Sequence, residues 1–131
     1  MAAVRRSINP WRWQEQFGFV QAQEVTGAEQ VLYCAGQTAV DADGTPQHPG
    51  DMRAQLTLAF DNLETVLRAA GFELSDVVRL NYYTTDMDAY FQAADVGGSR
   101  FAGNPPTVTL LGVSRLAFPE LLIEIEATAV A

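Results

Sequence analysis

The chain has 131 residues, with 16 Asp or Glu against 8 Lys or Arg, so its formal net charge is −8. This acidity argues against a nucleic-acid partner and against an anionic membrane, because binding to either needs clustered Lys and Arg. With 48% hydrophobic and 18% charged residues, the composition is typical of one globular domain over residues 1–131. No apolar run matches a signal-peptide core or a membrane span, so we expect a cytoplasmic protein.

The first half of the chain predicts two strands and a long helix. Strands are expected over residues 20–25 and 31–40, and the short turn between them favours a hairpin. Asp51 is a good N-cap, and apolar residues then recur every three or four positions as far as Ala70. Gly71 supplies the left-handed residue that ends this amphipathic helix.

The second half predicts three strands and a shorter helix. The strands are expected over residues 76–85, 107–113 and 121–130, and the helix begins near Asp86 or Asp88. The resulting order, ββαβαββ, favours an α+β or α/β sandwich with one mixed sheet and both helices on one face. The other face would then lack a covering helix, and an uncovered face with apolar residues indicates a partner subunit.

The sequence gives little support for a metal site or a nucleotide site. One cysteine and one histidine cannot form a zinc site within one chain, and no glycine-rich phosphate motif is present. We interpret Cys34 as a small buried hydrophobe, with a nucleophile as the alternative. His48 is interpreted as a surface loop residue, with a pH-sensitive or catalytic role as the alternative.

Glu124 and Glu126 are two carboxylates on one face of the last predicted strand. Side chains at positions i and i+2 of a strand stand about 7 Å apart, which suits an acid–base pair. The alternative is an ordinary solvated strand face. Apolar neighbours would raise the pKa of a carboxylate held beside them, and this favours a base or a water-orienting group.

Short motifs spread over residues 17–131 share their order and spacing with one protein family. They are AGQT at 35–38, DG at 43–44, Gln55, NL at 62–63, AG at 70–71, SDVV at 75–78, TDM at 85–87 and EIEATA at 124–129. Together they resemble the framework of the Rid family, also called YjgF/YER057c/UK114. The resemblance implies a chorismate-mutase-like fold and a homotrimer with a central barrel and ligand clefts between subunits.

The resemblance also implies a chemistry that needs no metal or organic cofactor. The best-known members of the Rid family hydrolyse reactive enamines and imines to ketones and ammonia. An arginine binds the substrate carboxylate in two hydrogen bonds, and a glutamate with a bound water hydrates the imine carbon. By this resemblance Glu124 is the catalytic candidate, and the cleft contains Phe19, Ala35, Gly36, Gln37, Asp95, Val108 and Leu110.

Three of these positions depart from the pattern of the deaminases. Phe19 and Ala35 stand where a Tyr and a Ser are common, so two hydroxyl groups are missing. Val108 stands at the position of the arginine, which would cost about 2–5 kcal/mol of carboxylate binding. We therefore expect an arginine-less subgroup member that hydrolyses 2-iminoacids poorly.

Other residues are weaker candidates for the cleft. Arg79, Arg100 and Arg115 are interpreted as surface charges, with a substitute carboxylate anchor as the alternative. Trp11 and Trp13 are expected to pack in the core or at an edge, with the mouth of a cleft as the alternative.

Two function classes remain open from the sequence. The first is an enzyme that uses Glu124 and a water on a ligand without a carboxylate. The alternative is a non-catalytic or regulatory trimer that binds a small apolar or amphipathic molecule. A third class, the endoribonucleases, is a label sometimes attached to this family; the net charge of −8 and the lack of a pair of histidines argue against it.

Overall fold

The computed structural model describes residues 3–131, which form a mixed α+β fold. Its strands are β1 (Val4–Ile8), β2 (Ala22–Thr26), β3 (Val31–Tyr33), β4 (Val77–Thr84), β5 (Thr107–Gly112) and β6 (Ile123–Val130). Its α-helices are α1 (Met52–Ala69), α2 (Met87–Ala93) and α3 (Asp95–Arg100). Short 3₁₀ turns span Trp13–Phe17 and Leu74–Asp76.

The strands form two sheets rather than the predicted single sheet. Four strands lie in the order β3-β6-β4-β5, and β1 and β2 form an antiparallel pair of their own. The larger sheet is mixed, as predicted, because β4 and β5 run parallel while the other neighbours run antiparallel. A parallel bridge between Val20 and Thr107 connects the segment before β2 to β5.

The predicted hairpin between β2 and β3 is wrong. β2 pairs with β1, a strand that the sequence analysis missed, and β3 pairs with β6. The loop between β2 and β3 is held by a distant residue, because the amides of Glu29 and Gln30 donate to the carbonyl of Ala131 at 2.9 and 3.0 Å. Pairing between distant segments therefore overrides the local turn signal.

The predicted strand over residues 31–40 ends at Tyr33, because this segment gains one residue relative to β6. Tyr33 lies opposite Thr128, whereas Gln37 bridges Ile125, so the register shifts by one residue. Pairing resumes at Gln37, whose amide donates to the carbonyl of Ile125 at 2.6 Å and whose carbonyl accepts from the Ile125 amide at 2.9 Å. Such a bulge bends a strand and changes where its neighbours point.

Helix α1 confirms the amphipathic prediction. The carboxylate of Asp51 accepts a hydrogen bond from the Ala54 amide at 3.0 Å, and Gly71 beyond the helix has a φ of 81°. Two positions of the predicted apolar repeat are exceptions: Val66 is 36% exposed, and Ala70, the residue after the helix, is exposed as well. The fully buried apolar side chains of α1 are Leu56, Ala59, Phe60, Leu63 and Leu67.

The second predicted helix is two helices joined at Ala94. The Asp86 carboxylate caps α2 by accepting from the Ala89 amide at 3.1 Å. Gly97 lies in α3 where the chain crosses the core, and a Cβ there would meet the hydroxyl of Tyr82 and would lie 3.3 Å from the ring of Phe60. Glycine at this position thus permits close packing of α3 against the core.

The main core lies between the sheet and the helices, and the other face of the sheet stays partly open. Ile123 and Ile125 of β6 are fully buried. On the open side, Val31 is 51% exposed, Tyr33 79% and Leu111 49%. Within residues 3–131, no helix has the length and apolar character needed to cross a membrane.

Candidate functional site

Glu124 lies on the open face of the sheet, beside the bulge that follows β3. It is the β6 partner of Tyr83 on β4. The backbone of Gly36 closely approaches its side chain, because a Cβ on Gly36 would lie 2.7 Å from Glu124 Cδ and 3.0 Å from Cγ. A residue with a side chain at position 36 would occupy the space of the carboxylate. The glycine in the bulge therefore leaves the space that the Glu124 carboxylate occupies.

The two glutamates of β6 have opposite electrostatic surroundings. Burial, and then the nearby charge of Glu126, raises the pKa of Glu124. Hydrogen bonds from Tyr83 and then Asn81 hold the pKa of Glu126 below its ordinary value. Asn81 Nδ2 donates to Glu126 Oε1 at 3.0 Å, and the Tyr83 hydroxyl donates to the same oxygen. Glu124 thus has the character of a strengthened base, while Glu126 is a stabilised anion.

Ala35 and Gln37 lie on either side of Gly36 in the bulge. Ala35 is exposed, and its carbonyl accepts a hydrogen bond of 3.3 Å from the Gln37 side chain. The backbone of Gln37 is paired with Ile125, the residue after Glu124. These predicted site residues therefore share one region with Glu124.

An apolar pocket of about 560 Å³ lies elsewhere on the molecule, between the 3₁₀ turn at Trp13–Phe17, helices α2 and α3, and strand β5. Phe19, Asp95, Val108 and Leu110, four of the predicted site residues, line it. The sequence analysis missed three other lining residues, Phe17, Tyr90 and Phe91. Tyr90 and Phe91 lie in the second predicted helix, where core packing explained their apolar character equally well, and Phe17 carried no signal of its own.

Asp95 is the charged predicted residue of this pocket, and its carboxylate is already paired. Arg53 donates to its two oxygens at 2.8 Å each, and these hydrogen bonds lower the pKa of Asp95. Glu15, also at the pocket, receives a hydrogen bond of 2.6 Å from Arg12. The aromatic and aliphatic side chains therefore dominate the pocket's chemistry.

The structure does not bring the two groups of predicted site residues together within one chain. Val108 and Leu110 are paired with Leu80 and Tyr82, which face the buried core. Glu124 is paired with Tyr83, the next residue along β4. Because successive side chains of a strand point to opposite faces, the pocket and the Glu124 region lie on opposite faces of the sheet.

Trp13 lies beside the pocket rather than in the core. It is 58% exposed, and its ring meets Phe17 at 6.5 Å and Phe19 at 6.1 Å, both edge to face. These two phenylalanines line the pocket. Trp11 is 62% exposed, so core packing is excluded for both tryptophans.

Among the arginines, the interpretation of Arg100 as a surface charge is wrong. Its side chain is only 22% exposed and donates to Asp61 at 2.8 Å and to Glu64 at 2.9 Å. Its guanidinium also lies 5.8 Å from the centre of the Phe60 ring. Arg100 is a structural ion-pair residue of the α1–α3 contact. Arg79 and Arg115 are exposed, as expected.

Cys34 and His48 lie where the simpler interpretations put them. Cys34 is 8% exposed, and burial raises the pKa of its thiol, which disfavours the reactive thiolate. His48 is exposed in the loop before α1. In residues 3–131, no cluster of three or more His, Cys, Asp or Glu side chains is arranged to hold a metal ion.

Comparison with known proteins identifies the family. The family model for Endoribonuclease L-PSP matches residues 16–131. A solved structure from Yersinia pestis, a Rid-family protein of unknown function, is similar with a TM-score of 0.87 and 40% identity, over 97% of this chain and 98% of that one. The chain belongs to the Rid family. In this Rid protein, Val108 lines the apolar pocket.

Two further members support the assignment of this Rid protein. A RutC family protein of Pyrococcus horikoshii is 33% identical over 102 residues, which is 78% of this chain and 80% of that protein. A YjgF/YER057c/UK114 family structure from Mycobacterium tuberculosis has a TM-score of 0.67 at 29% identity, and the match covers 98% of this chain and all of that one.

Proposed function

We propose that this Rid protein is a homotrimer that hydrolyses imines or enamines lacking a carboxylate, in clefts completed by neighbouring subunits. The observation that carries the proposal is Glu124, a carboxylate made more basic by its surroundings and seated against the backbone of Gly36. A protein that only bound a ligand would have no need of a strengthened base. A non-catalytic binding trimer remains the alternative.

The trimer is proposed because one chain holds two half-sites on opposite faces of its sheet. A head-to-tail association, in which the open face of one copy meets the pocket side of the next, would bring the Glu124 region of one subunit towards the pocket of its neighbour. The open face has the properties of an interface, since it exposes Val31 and Tyr33. It also carries a buried Asn81 Oδ1 that has no hydrogen-bond partner within the described residues. A second copy or a bound water would supply the missing donor.

The apolar lining of the pocket supports a substrate without a carboxylate. Val108 and Leu110 form one wall, and Phe19 and Phe91 lie among the other lining residues. A carboxylate buried there would lose its hydration without gaining a charge-assisted partner from Val108. An apolar or amphipathic imine would instead gain from leaving water.

The proposed reaction uses Glu124 as the general base. The carboxylate takes a proton from a water whose oxygen attacks the imine carbon, and the C=N bond becomes the C–N bond of a carbinolamine. Glu124 returns this proton to the nitrogen, which completes the carbinolamine. It then takes the remaining hydroxyl proton and passes it to the nitrogen as the C=O bond forms and the carbon–nitrogen bond breaks, so the carbonyl product and the amine or ammonia leave. Water is the only co-reactant.

The test compares the hydrolysis of two imines, each generated in the assay mixture by an oxidase. The amount of imine that remains is measured by its reaction with a trapping reagent. One is an aralkyl imine from a primary amine, and the other is iminoleucine from leucine. We expect clear acceleration with the first and little with the second. Replacement of Glu124 by Gln should lower turnover about 100-fold or more while ligand binding survives. Acceleration of iminoleucine breakdown, or full activity of Glu124→Gln, would contradict the proposal.

Stability separates a catalytic loss in this variant from a folding defect. Because the pKa of Glu124 is raised in the folded protein, its stabilising contribution is present at low pH and is lost as the pH rises through the raised pKa. Removing the charge should therefore leave the unfolding free energy at neutral pH unchanged or higher.

The proposed homotrimer is tested separately. Sedimentation of the unmodified protein should show three times the subunit mass of 14.3 kDa.

A further inference from the structure

We infer that Glu126 is a positioning residue for the reaction proposed above: its charge, fixed by Tyr83 and Asn81, strengthens Glu124 as the base. The inference rests on the proposed function and assigns a role to a second carboxylate. Glu126 follows Glu124 by two positions on β6, so both side chains stand on the open face about 7 Å apart.

The hydrogen bonds of the two carboxylates differ sharply. Glu126 Oε1 accepts from Asn81 Nδ2 at 3.0 Å and from the Tyr83 hydroxyl. Both donors come from β4, whose register places Asn81 directly opposite Glu126 and Tyr83 opposite Glu124. Within residues 3–131, the Glu124 carboxylate accepts no side-chain hydrogen bond comparable to those of Glu126, and its side chain lies against the backbone of Gly36. One carboxylate is therefore anchored as an anion, and the other stays available to a water.

The charges around the pair favour this division of labour. Facing Glu124 are Glu126 on its own strand and Tyr83 on β4, while the segment after β3 contributes the uncharged Gly36. Arg79 on β4 acts on Glu126 and helps to keep it ionised. Arg79 itself donates to the Thr109 hydroxyl at 2.8 Å, which directs it towards β5. The negative charge nearest to Glu124 is thus retained rather than cancelled.

The consequence for catalysis is a stronger base at the pH where it works. A fixed negative charge nearby disfavours ionisation of Glu124, and a carboxylate with a higher proton affinity accepts a proton from water more readily. Tyr83 connects the two glutamates, because its hydroxyl donates to Glu126 while its backbone pairs with Glu124. Loss of the Tyr83 hydroxyl would therefore weaken the control of both the charge and the position of Glu126.

The experiment titrates the Glu124 carboxyl carbon by NMR in the full chain, with the signal assigned by its loss in Glu124→Gln. In Glu126→Gln the Glu124 midpoint should fall by about half a pH unit to one unit. The matched control, Asp43→Asn, removes one negative charge from the exposed turn at residues 41–45 and should leave the midpoint unchanged. Tyr83→Phe, which keeps the ring, should raise the midpoint of Glu126, and this variant serves if Glu126→Gln does not fold.

Kinetics provide the second measurement. With the aralkyl imine, the acidic limb of the kcat/KM profile should move to lower pH in Glu126→Gln, and the plateau should fall. An unmoved Glu124 midpoint in Glu126→Gln, an equal movement in Asp43→Asn, or an unchanged Glu126 midpoint in Tyr83→Phe overturns this inference alone. Absence of turnover by the unmodified protein overturns the proposed function but leaves the coupling between Glu126 and Glu124 standing, because the NMR titration needs no substrate.

Discussion

Replacement of Gly36 by alanine would displace the Glu124 carboxylate without altering its chemistry. The added methyl would stand 2.7 Å from Glu124 Cδ, whereas ordinary contacts begin at about 3.4 Å. The carboxyl carbon must therefore move by about 0.7 Å or more. The backbone at Gly36 lies outside the left-handed region, so alanine adds no conformational strain.

The two expected effects of this substitution differ in size. Because the end of a glutamate side chain rotates easily, the loss of unfolding free energy should stay below about 1 kcal/mol. A shift approaching 1 Å in a catalytic group costs about 100-fold in rate. The assay is turnover of the aralkyl imine, measured beside the denaturation midpoint in urea.

A glycine elsewhere in the sheet provides the matched control. A Cβ on Gly112, at the end of β5, would meet only the Met87 Cε at 3.5 Å, which is an ordinary contact. Gly112→Ala should therefore keep both activity and stability. Unchanged turnover in Gly36→Ala would refute the placement of Glu124 as the base, and an equal loss in Gly112→Ala would refute the contact argument.

Three further predictions concern buried polar contacts and the pocket. The side chain of Gln55 is fully buried and forms hydrogen bonds with three backbone groups at 2.8–3.0 Å. Gln55→Leu should therefore lower the unfolding free energy by about 2–4 kcal/mol, measured by urea denaturation. An unchanged denaturation midpoint would contradict this. Arg100→Met removes the guanidinium that lies 2.9 Å from the Glu64 carboxylate. The unfolding free energy should fall by about 1–2 kcal/mol at low salt and by less in 1 M salt. A loss of unfolding free energy that grows with salt would argue against an ionic origin. Val108→Arg should tighten binding of a 2-ketoacid at least about 30-fold by calorimetry. Val108→Lys, which lacks the two-pronged guanidinium, should gain less, and equal gains would point to charge alone.

The elements that the sequence predicts well are those whose pattern is local. Helix α1 has both a cap at Asp51 and a long apolar repeat, and the alternation of β6 identifies Ile123 and Ile125 as buried. β1 has no such signal, because Arg5 and Arg6 interrupt its apolar pattern and its stability depends on pairing with β2. The hairpin prediction was wrong for the same reason, since it ignored the competing partners of β2 and β3.

The site shows the same division between local and distant information. The apolar neighbours of Glu124 are visible in the sequence, and they indicated the direction of its pKa shift. The anchoring of Glu126 is not visible, because Asn81 and Tyr83 precede it by 45 and 43 residues and meet it only through the strand register. The bulge that sets Gly36 against Glu124 likewise depends on a one-residue mismatch that no local pattern reveals.

The strand order has a consequence for synthesis of the chain on the ribosome. β6 follows every other described strand in the chain, yet it lies between β3 and β4 in the larger sheet. Until residues 123–130 emerge, β3 has no neighbour within the sheet, and the apolar side of α1 lacks the surface that Ile123 and Ile125 provide. The nascent chain should therefore expose apolar surface to chaperones until its translation is nearly complete.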